Sequence, residues 1–192
     1  MLNDLATPAA LLATRRSAKA RDMVAPGPDA AQLRRILTAA MRVPDHGKLA
    51  PWRHVVIDAD QRDAFAALLE RAYLADKPDA GRLELEAVEQ FARQAPTLVV
   101  LFSAANPRSH IPVWEQELSA GAAAMVLLTA THAEGFAGCW LTGWAAYSPI
   151  VAQALGYPDA RIAGFFFLGT PGREPEERPR PDFVMHVTYW QG

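Results

Sequence analysis

The chain has 192 residues, of which 51% are hydrophobic and 21% are charged, with 12 glycines and 15 prolines. This composition is typical of a globular protein and excludes a collagen, a coiled coil and a wholly disordered chain. The formal net charge of −2 gives no overall field that would attract a polyanion, so we expect no nucleic-acid partner.

Length and cysteine usage predict one domain in a reducing compartment. A chain of this length buries roughly 70% of its unfolded surface, so a single core over residues 1–192 needs no disulfide. Cys139 is the only cysteine. The cations Arg15 and Arg16 follow the N-terminal apolar stretch, which is the reverse of a secretory signal, and no apolar run reaches the roughly 20 residues that span a bilayer. We therefore expect a cytoplasmic protein with no membrane partner.

Apolar periodicity in the first half of the chain predicts helices over residues 5–14, 29–41, 60–75 and 79–93, and strands over 54–57 and 97–103. Pro8 is predicted to interrupt the first helix. Asp29 and Gln32 have the spacing of a capping box, and Asp58 with Gln61 offers a cap to the third helix. The strand over 54–57 is predicted to be buried on both faces.

A long helix over 113–134, closed by Gly135, dominates the second half. Its residues 120–128 are apolar on every side, so we expect this helix to be buried all round, at a subunit interface. The elements that follow are a short apolar segment over 138–143, a helix that begins at Ser148 and Pro149, and a strand over 161–168.

Four prolines and six charges between residues 171 and 181 predict an extended C-terminal arm over about 171–192. Residues 183–190 are strand-like again, and such a strand could join its own sheet or that of another subunit. Strands that alternate with long helices favour an α/β or α+β sandwich, in which a mixed sheet is covered on both faces.

Three residues after the first helix have the chemistry of an anion site. Arg15, Arg16 and Ser17 offer two guanidinium groups and a hydroxyl, which suit the oxygens of a phosphate. The same cations also suit a solvated helix end, where they complement the C-terminal dipole.

Asp45 and His46 suit acid–base chemistry, with the aspartate orienting the imidazole. No nucleophile accompanies them, because Cys139 stands in an apolar segment without an adjacent cation and is predicted to be a small buried hydrophobe. The five histidines never have the spacing of a metal site.

The segment Trp140-Leu141-Thr142-Gly143 ends an apolar stretch with a glycine, which allows a flat ligand to approach the backbone closely. A buried strand that ends in a turn explains the same residues. The motifs G-x-G-x-x-G and G-x-x-x-x-G-K-[ST] do not occur, which disfavours a Rossmann dinucleotide site and a P-loop.

Several motifs, taken in order along the chain, resemble those of the nitroreductase family of flavin enzymes. They are R-R-S at 15–17, R-x-P-D-H-x-x-x-x-P-W at 42–52, W-E-Q-E-x-S-A-G at 114–121, a glycine-bounded segment at 135–143 and G-F-x-x-L-G-T-P at 164–171. The matches span nearly the whole chain, and within the family the chain is similar to the small YdjA-like subgroup.

The resemblance implies an α+β fold, a three-layer α-β-α sandwich with a mixed, mainly antiparallel sheet. It also implies a homodimer that binds FMN at two sites between the subunits. Arg15, Arg16 and Ser17 would bind the phosphate and ribityl end. Lys19 would lie near the pyrimidine edge, where a cation stabilises the reduced ring.

Further positions match the part of the family site that surrounds the flavin ring. Arg42 and His46 match positions that contribute to this site in the subgroup. The residues that match the segment along the ring are Trp140, Leu141, Thr142 and Gly143, with the backbone of the last two facing N5.

Two features depart from the larger members of the family. Asp45, Lys48 and Ala50 stand where a Ser, an Asn and a Gln would be, and His46 is the candidate replacement for the missing amide contacts. Basic residues near the C-terminus commonly close the phosphate site, and those available here are Arg173, Arg178 and Arg180.

The implied activity is that of an oxidoreductase without a catalytic side chain, because flavin N5 takes a hydride from NADH or NADPH. The electrons then pass to a nitroaromatic, a quinone or a similar small electrophile in the same pocket, with ping-pong kinetics. Two alternatives stay open: an FMN-binding sensor or carrier without turnover, and a flavin-free hydrolase that uses Asp45 and His46.

Overall fold

Five strands form one antiparallel sheet in the computed structural model, which describes residues 1–192. The strands are β1 Met23–Val24, β2 Trp52–Ile57, β3 Thr97–Ser103, β4 Ala137–Leu141 and β5 Arg161–Pro171. The helices are α1 Pro8–Thr14, α2 Ala30–Ala40, α3 Arg62–Asp76, α4 Arg82–Arg93, α5 Val113–Ala133, α6 Pro149–Ala154 and α7 Phe183–His186. Every strand pairing is antiparallel, so the predicted α+β sandwich is confirmed but its sheet is not mixed.

β5 is the central strand of the sheet. It pairs with β3 along one edge and with β4 along the other, and its last residues pair with β1. β2 pairs only with β3, which makes it an edge strand. The prediction that residues 54–57 are buried on both faces is wrong for this reason, because Val55 and Val56 are only half-buried at the edge.

Side chains of β5 alternate between two helical layers. Phe165 and Phe167 pack with α3, α4 and α6, whereas Phe166 and Leu168 pack with α2 and α5. All four side chains are fully buried. The continuous apolar run of this strand is therefore explained by a sheet that helices cover on both faces.

Two predicted helix starts are confirmed by their caps. Asp29 and Gln32 form both hydrogen bonds of a capping box at the start of α2. The hydroxyl of Ser148 accepts from the Val151 amide at the start of α6. Both helices thus begin where a side chain satisfies an amide that has no partner inside the helix.

Two other helix starts differ from the prediction. Pro8 does not interrupt α1 but begins it, because proline lacks the amide hydrogen that would have no partner at this position, and Thr7 supplies the cap. Asp58 and Gln61 give no side-chain cap to α3, because the 3-10 turn Ala59–Gln61 precedes this helix and supplies its first bonds.

A buried arginine, which no sequence pattern singled out, fixes the start of α3 to the end of β2, the end of α4 and the residues that lead into β3. Arg62 is 6% exposed and donates only to main-chain carbonyl groups. Its acceptors are the carbonyl oxygens of Ile57 at 3.2 Å, Ala92 at 2.8 Å, Gln94 at 3.2 Å, Ala95 at 3.4 Å and Pro96 at 3.4 Å. Burial lowers the pKa of Arg62 to about 10, so the guanidinium stays charged at neutral pH.

The long helix α5 is not buried on every side within one chain. Ala123 and Leu127 are fully buried against the sheet, whereas Trp114, Leu118 and Met125 are exposed. The exposed side chains recur at helical spacing and form one apolar surface, which we call the α5 stripe. Nothing within one chain covers this face, and the expected burial at a subunit interface stays a prediction.

The C-terminal arm, residues 171–192, leaves β5 and does not return to the sheet. Residues 183–190 were expected to form a strand, but Phe183–His186 form a helical turn and the rest has no regular structure. Met185 and Trp190 are exposed. Within one chain the strand is not formed, because an apolar pattern specifies a strand only where a sheet edge receives it, and no edge of the same chain does. Addition to the sheet of another subunit stays a prediction.

Candidate functional site

The segment that follows α1 carries the three residues predicted to bind phosphate, and all three are half-buried. The Asn3 side chain fixes the backbone of Arg16 by accepting from its amide at 2.7 Å and donating to its carbonyl at 3.1 Å. Arg15 Nη1 donates to the Ser17 hydroxyl at 3.2 Å. The structure therefore brings the two guanidinium groups and the hydroxyl together, as the sequence predicts.

The two arginines have no carboxylate partner. Arg16 Nε donates to the main-chain carbonyl of Glu176 at 2.8 Å, and neither arginine forms an ion pair. Burial, followed by the nearby guanidinium of Arg180, lowers the pKa of Arg15. Arg180 itself pairs with Glu177 at 2.9 Å. No carboxylate forms an ion pair with Arg15 or Arg16, so both guanidinium groups keep donors that could bind a phosphate.

All three arginines of the C-terminal arm lie close to this cluster. Arg173 lines a pocket of about 110 Å³ together with Arg16 and Lys19. Arg178 is near enough to contribute to the repulsion that lowers the pKa of Arg15. The arm thus brings arginines, together with Glu174 and Glu176, to the place where the sequence predicted that basic residues would close a phosphate site.

Residues 18–20 run beside β4 and connect the arginine pair to the sheet. Ala18 and Ala20 are buried, whereas Lys19 between them is exposed. The Ala20 amide faces the Cys139 thiol in the middle of β4, and burial raises the pKa of that thiol. Cys139 is therefore an inert core residue, as predicted, and Lys19 is available at the surface next to the β4 strand.

The carboxyl end of β4 presents the residues predicted to lie along a flat ligand. Trp140 stacks on Phe166 of β5, with ring centroids 5.3 Å apart, and its indole donates to a β5 carbonyl at 3.0 Å. Leu141 is half-buried, and Thr142 and Gly143 are exposed. Gly143 has a φ of 105°, which side chains disfavour, so the chain turns sharply and leaves its backbone uncovered here.

The loop after α2, which carries the other two predicted cofactor residues, is attached to α5. His46 Nδ1 lies 2.6 Å from the Glu115 carboxylate. The Ser119 hydroxyl donates to the Pro44 carbonyl at 2.7 Å and so holds the start of the loop. Arg42 is exposed at the end of α2.

The predicted pairing of Asp45 with His46 is wrong. The Asp45 carboxylate accepts from the amides of Leu49 at 3.2 Å and Ala50 at 2.7 Å, so it closes its own loop while the imidazole turns to α5. Lys48 and Ala50 have φ values of 55° and 47°, in the left-handed region. The Asp45–His46 dyad is therefore not formed, and the carboxylate that pairs with His46 is that of Glu115.

The hydrogen bonds and ion pairs of one chain do not join the two sets of predicted cofactor residues. Residues 15–19 are bonded to the C-terminal arm and border β4, whereas Arg42 and His46 belong to the loop on α5. One chain by itself therefore does not bring all these residues into a single bonded cluster.

A second cavity, of about 280 Å³, lies beside Gly143 between α3, α4 and the turn after β4. The Tyr73 hydroxyl donates to the Glu84 carboxylate at 2.9 Å, and Lys77 Nζ donates to it at 2.5 Å. Together with the Gly81 amide, the Lys77 ammonium lowers the pKa of Glu84 to about 2. The helical patterns gave no signal for this cavity, because its residues meet only when α3 and α4 fold against each other.

No three His, Cys, Asp or Glu side chains converge on a position that could hold a metal ion. None of the helices combines the length and the apolarity that crossing a membrane requires.

Comparison with known proteins places these features in a family. The model of the Nitroreductase family matches residues 12–170. The chain is 36% identical over 182 residues to the "Putative NAD(P)H nitroreductase YdjA" of Escherichia coli strain K12, with 94% of this chain and 97% of that protein covered. It is also 36% identical over 184 residues to a Haemophilus influenzae protein with the same general description, with 92% and 97% covered.

Solved structures share the fold at lower sequence identity. A nitroreductase-like family protein from Bacillus cereus superposes with a TM-score of 0.81 at 18% identity, covering 96% of each chain. A nitroreductase with bound FMN from Bacteroides fragilis has a TM-score of 0.68 at 18% identity, covering 94% of this chain and 96% of that one. The family model spans all but the first residues and the C-terminal arm, and the chain belongs to the nitroreductase family.

Proposed function

We propose that the chain is an FMN-dependent oxidoreductase that passes a hydride from NADH or NADPH to a small electrophile such as a nitroaromatic or a quinone. The observation that carries the proposal is the half-buried pair of Arg15 and Arg16, which has no carboxylate partner and lies near β4. The family relationship supports FMN as the anion, because a structural neighbour binds it and the relatives are described as NAD(P)H nitroreductases.

The chain's own residues would bind the cofactor at its phosphate end. Arg15 and Arg16 would donate charge-assisted hydrogen bonds to the phosphate oxygens, and Ser17 would add a neutral one. Lys19 would place a cation near the pyrimidine edge, where negative charge develops on reduction. Arg173, from the C-terminal arm, would close the same pocket.

The end of β4 would orient the ring. FMN, when bound, supplies hydride transfer at N5, a chemistry that amino-acid side chains do not provide. The exposed main chain at Thr142 and Gly143 would face that atom. Trp140 and Leu141 would support the segment, because Trp140 is fixed to β5 by its indole hydrogen bond.

A homodimer is the second part of the proposal. The α5 stripe exposes Trp114, Leu118 and Met125 on one helix face, and exposed apolar patches of this kind mark protein interfaces. A second copy packed on this face would bury α5 all round, as its composition predicts. It would also supply Arg42 and His46 to the site, which the bonds of one chain leave apart from the arginine pair.

The proposed kinetics are ping-pong, with donor and acceptor using one position in turn. Thr142 and Gly143 are exposed at the end of β4, and no atom lies within 4 Å of a Cβ built at Gly143. This exposed surface supports binding of donor and acceptor at the same position, one after the other. No protein nucleophile is required, in keeping with the buried Cys139 and the absence of an Asp45–His46 pair.

The visible spectrum tests the cofactor, and steady-state kinetics test the reaction. After incubation with FMN and gel filtration, we expect oxidised-flavin absorbance to elute with the protein. We also expect NADH or NADPH oxidation with menadione or nitrofurazone, with parallel double-reciprocal lines. A protein that elutes colourless contradicts the proposal.

An FMN sensor or carrier without turnover is the alternative, and the loop after α2 favours it. Asp45 is used by its own loop, and Lys48 and Ala50 provide no amide side chain for the flavin's polar edge. A yellow protein that oxidises neither NADH nor NADPH with either acceptor would support this alternative.

A further inference from the structure

The cavity between α3, α4 and the turn after β4 lies next to the proposed position of the flavin N5. We call it the α3–α4 pocket. Its lining residues are mostly apolar and are Leu69, Ala87, Val88, Phe91, Trp144 and Ala145, with Tyr73, Glu84, Thr142 and Gly143. The pocket therefore borders the same two exposed residues that the proposed function assigns to the reacting atom.

Gly143 connects the carboxyl end of β4 to the α3–α4 pocket. It follows the end of β4 by two residues, and its φ of 105° starts the turn Trp144–Tyr147. A Cβ at this glycine would meet no atom within 4 Å. The turn directs Trp144 onto α3, where its ring packs edge-on against Tyr73 with centroids 4.9 Å apart. Trp144 thus forms a wall of the pocket, while the backbone at Gly143 leaves the entrance open.

The polar groups around the pocket are already paired with one another. The Tyr73 hydroxyl donates to Glu84 at 2.9 Å, and the Trp144 indole donates to Asp76 at 2.8 Å. Lys77, the one nearby ammonium, is bonded to Glu84 at 2.5 Å. The pocket consequently offers apolar surface and aromatic rings but no free donor for an anionic ligand.

The one charged side chain that lines the pocket is a carboxylate. It belongs to Glu84, and a second carboxylate, that of Asp76, accepts from the indole of the lining residue Trp144. A carboxylate on a ligand would be repelled here, and its lost hydration would not be replaced by a donor. A neutral ring would meet neither the repulsion nor the cost of lost hydration.

We infer that the α3–α4 pocket receives the ring of a flat, uncharged acceptor and selects against acceptors that carry a carboxylate. This inference rests on the proposed function, because it takes the β4 end as the position of N5. The size agrees, since a cavity of about 150 Å³ can hold benzene and this one is about 280 Å³, which is room for one or two rings.

Filling the pocket is the first test. Val88→Phe places a larger side chain in the pocket, and Leu83→Phe is the matched control, because Leu83 lies on the same helix and is 71% exposed. Calorimetric titration with indole, a neutral ring that needs no flavin chemistry, gives a readout apart from activity. We expect Val88→Phe to weaken indole binding and to raise the KM for nitrobenzene about tenfold or more, and Leu83→Phe to change neither.

Removing the charge is the second test. Glu84→Gln keeps the size and the acceptor oxygen, and Glu86→Gln is the control because Glu86 carries the same charge on α4 outside the pocket. In the wild type we expect a higher kcat/KM for nitrobenzene than for 4-nitrobenzoate. At constant ionic strength, Glu84→Gln should reduce the ratio of kcat/KM for nitrobenzene to kcat/KM for 4-nitrobenzoate about three- to tenfold. Glu86→Gln should leave that ratio unchanged.

The outcomes separate the inference from the proposed function. If the protein turns over nitrobenzene with FMN, but Val88→Phe and Glu84→Gln behave as their controls do, the pocket inference is overturned and the function stands. If the protein binds no FMN, the proposed function is overturned and the acceptor role of the pocket with it. Should Val88→Phe fail to fold, an unchanged ratio in Glu84→Gln still overturns the inference.

Discussion

The Arg16 guanidinium donates to the main-chain carbonyl of Glu176 at 2.8 Å. This bond joins the segment after the first helix to the C-terminal arm, at the place where the structure concentrates arginine side chains. Because the acceptor is a neutral carbonyl, the bond positions Arg16 without neutralising its charge. The arm is therefore built into the candidate phosphate site.

Arg178 and Arg180 should contribute to FMN affinity through their charge. Changing both to alanine should weaken FMN binding about 5- to 20-fold and reduce its dependence on salt, because each lies near Arg15 and adds to the local positive potential. Quenching of FMN fluorescence on titration gives the dissociation constant. Arg108→Ala, in an exposed loop, is the control, and equal affinities in the two variants would exclude Arg178 and Arg180 from the site.

Arg62 should be among the most sensitive positions for stability. Arg62→Met should lower the free energy of unfolding by about 3 kcal/mol or more, because several buried carbonyl groups lose their donor at once. Urea unfolding followed by circular dichroism measures the change. Arg71→Met on the exposed side of the same helix should cost little, and a similarly small loss in Arg62→Met would contradict the assigned role.

His132 should make the folded state sensitive to moderate acid. Burial, and then the charge of Arg15, lowers the pKa of His132 to about 4, and neither ring nitrogen has a hydrogen-bond partner. The unfolded chain takes up this proton near pH 6.5, so stability is full above that pH and falls as the pH drops towards about 4, by at most about 1.4 kcal/mol per pH unit.

The substitution His132→Leu should flatten this part of the pH profile. Urea unfolding at several pH values between 4 and 7.5 gives the slope, and His110→Leu, at an exposed position, should leave it unchanged. At neutral pH the leucine variant should be no less stable than the wild type, because it removes buried polar atoms without partners. An unaltered slope would assign the pH dependence to other groups.

Gly164 should be required for the position of Trp140. A Cβ at Gly164 would collide with the Trp140 indole, which is held by its bond to the Ala163 carbonyl. Gly164→Ala should therefore displace the ring and cost about 1–3 kcal/mol. Near-ultraviolet circular dichroism should report the change, whereas an unchanged spectrum at wild-type stability would show that the ring adapts freely.

The sequence predicted those features that depend on local chemistry. The caps at Asp29 and Ser148, the extent of β3 and the burial of Cys139 were all visible as short patterns. The proximity of Arg15, Arg16 and Ser17 followed from their adjacency, and the motifs that resemble the nitroreductase family indicated their role.

Features that depend on long-range packing were not predictable from these patterns. β2 is half-buried because it lies at the edge of the sheet, although its residues are apolar enough for a central strand. His46 pairs with Glu115, which is distant in the sequence, and not with the adjacent Asp45, because the Asp45 carboxylate accepts from amides of its own loop. The carbonyls around Arg62 carry no side-chain signal, so only the folded backbone shows them.

The dissociation constant of FMN from the Arg16→Ala variant tests the central claim most directly. We expect binding about 10- to 150-fold weaker than in the wild type, which corresponds to the loss of a charge-assisted hydrogen bond of about 1.5–3 kcal/mol. Arg34→Ala, an exposed arginine on α2 without an ion pair, should bind as the wild type does. Equal affinity of Arg16→Ala and Arg34→Ala for FMN would contradict the claim that the arginine pair holds the cofactor's phosphate.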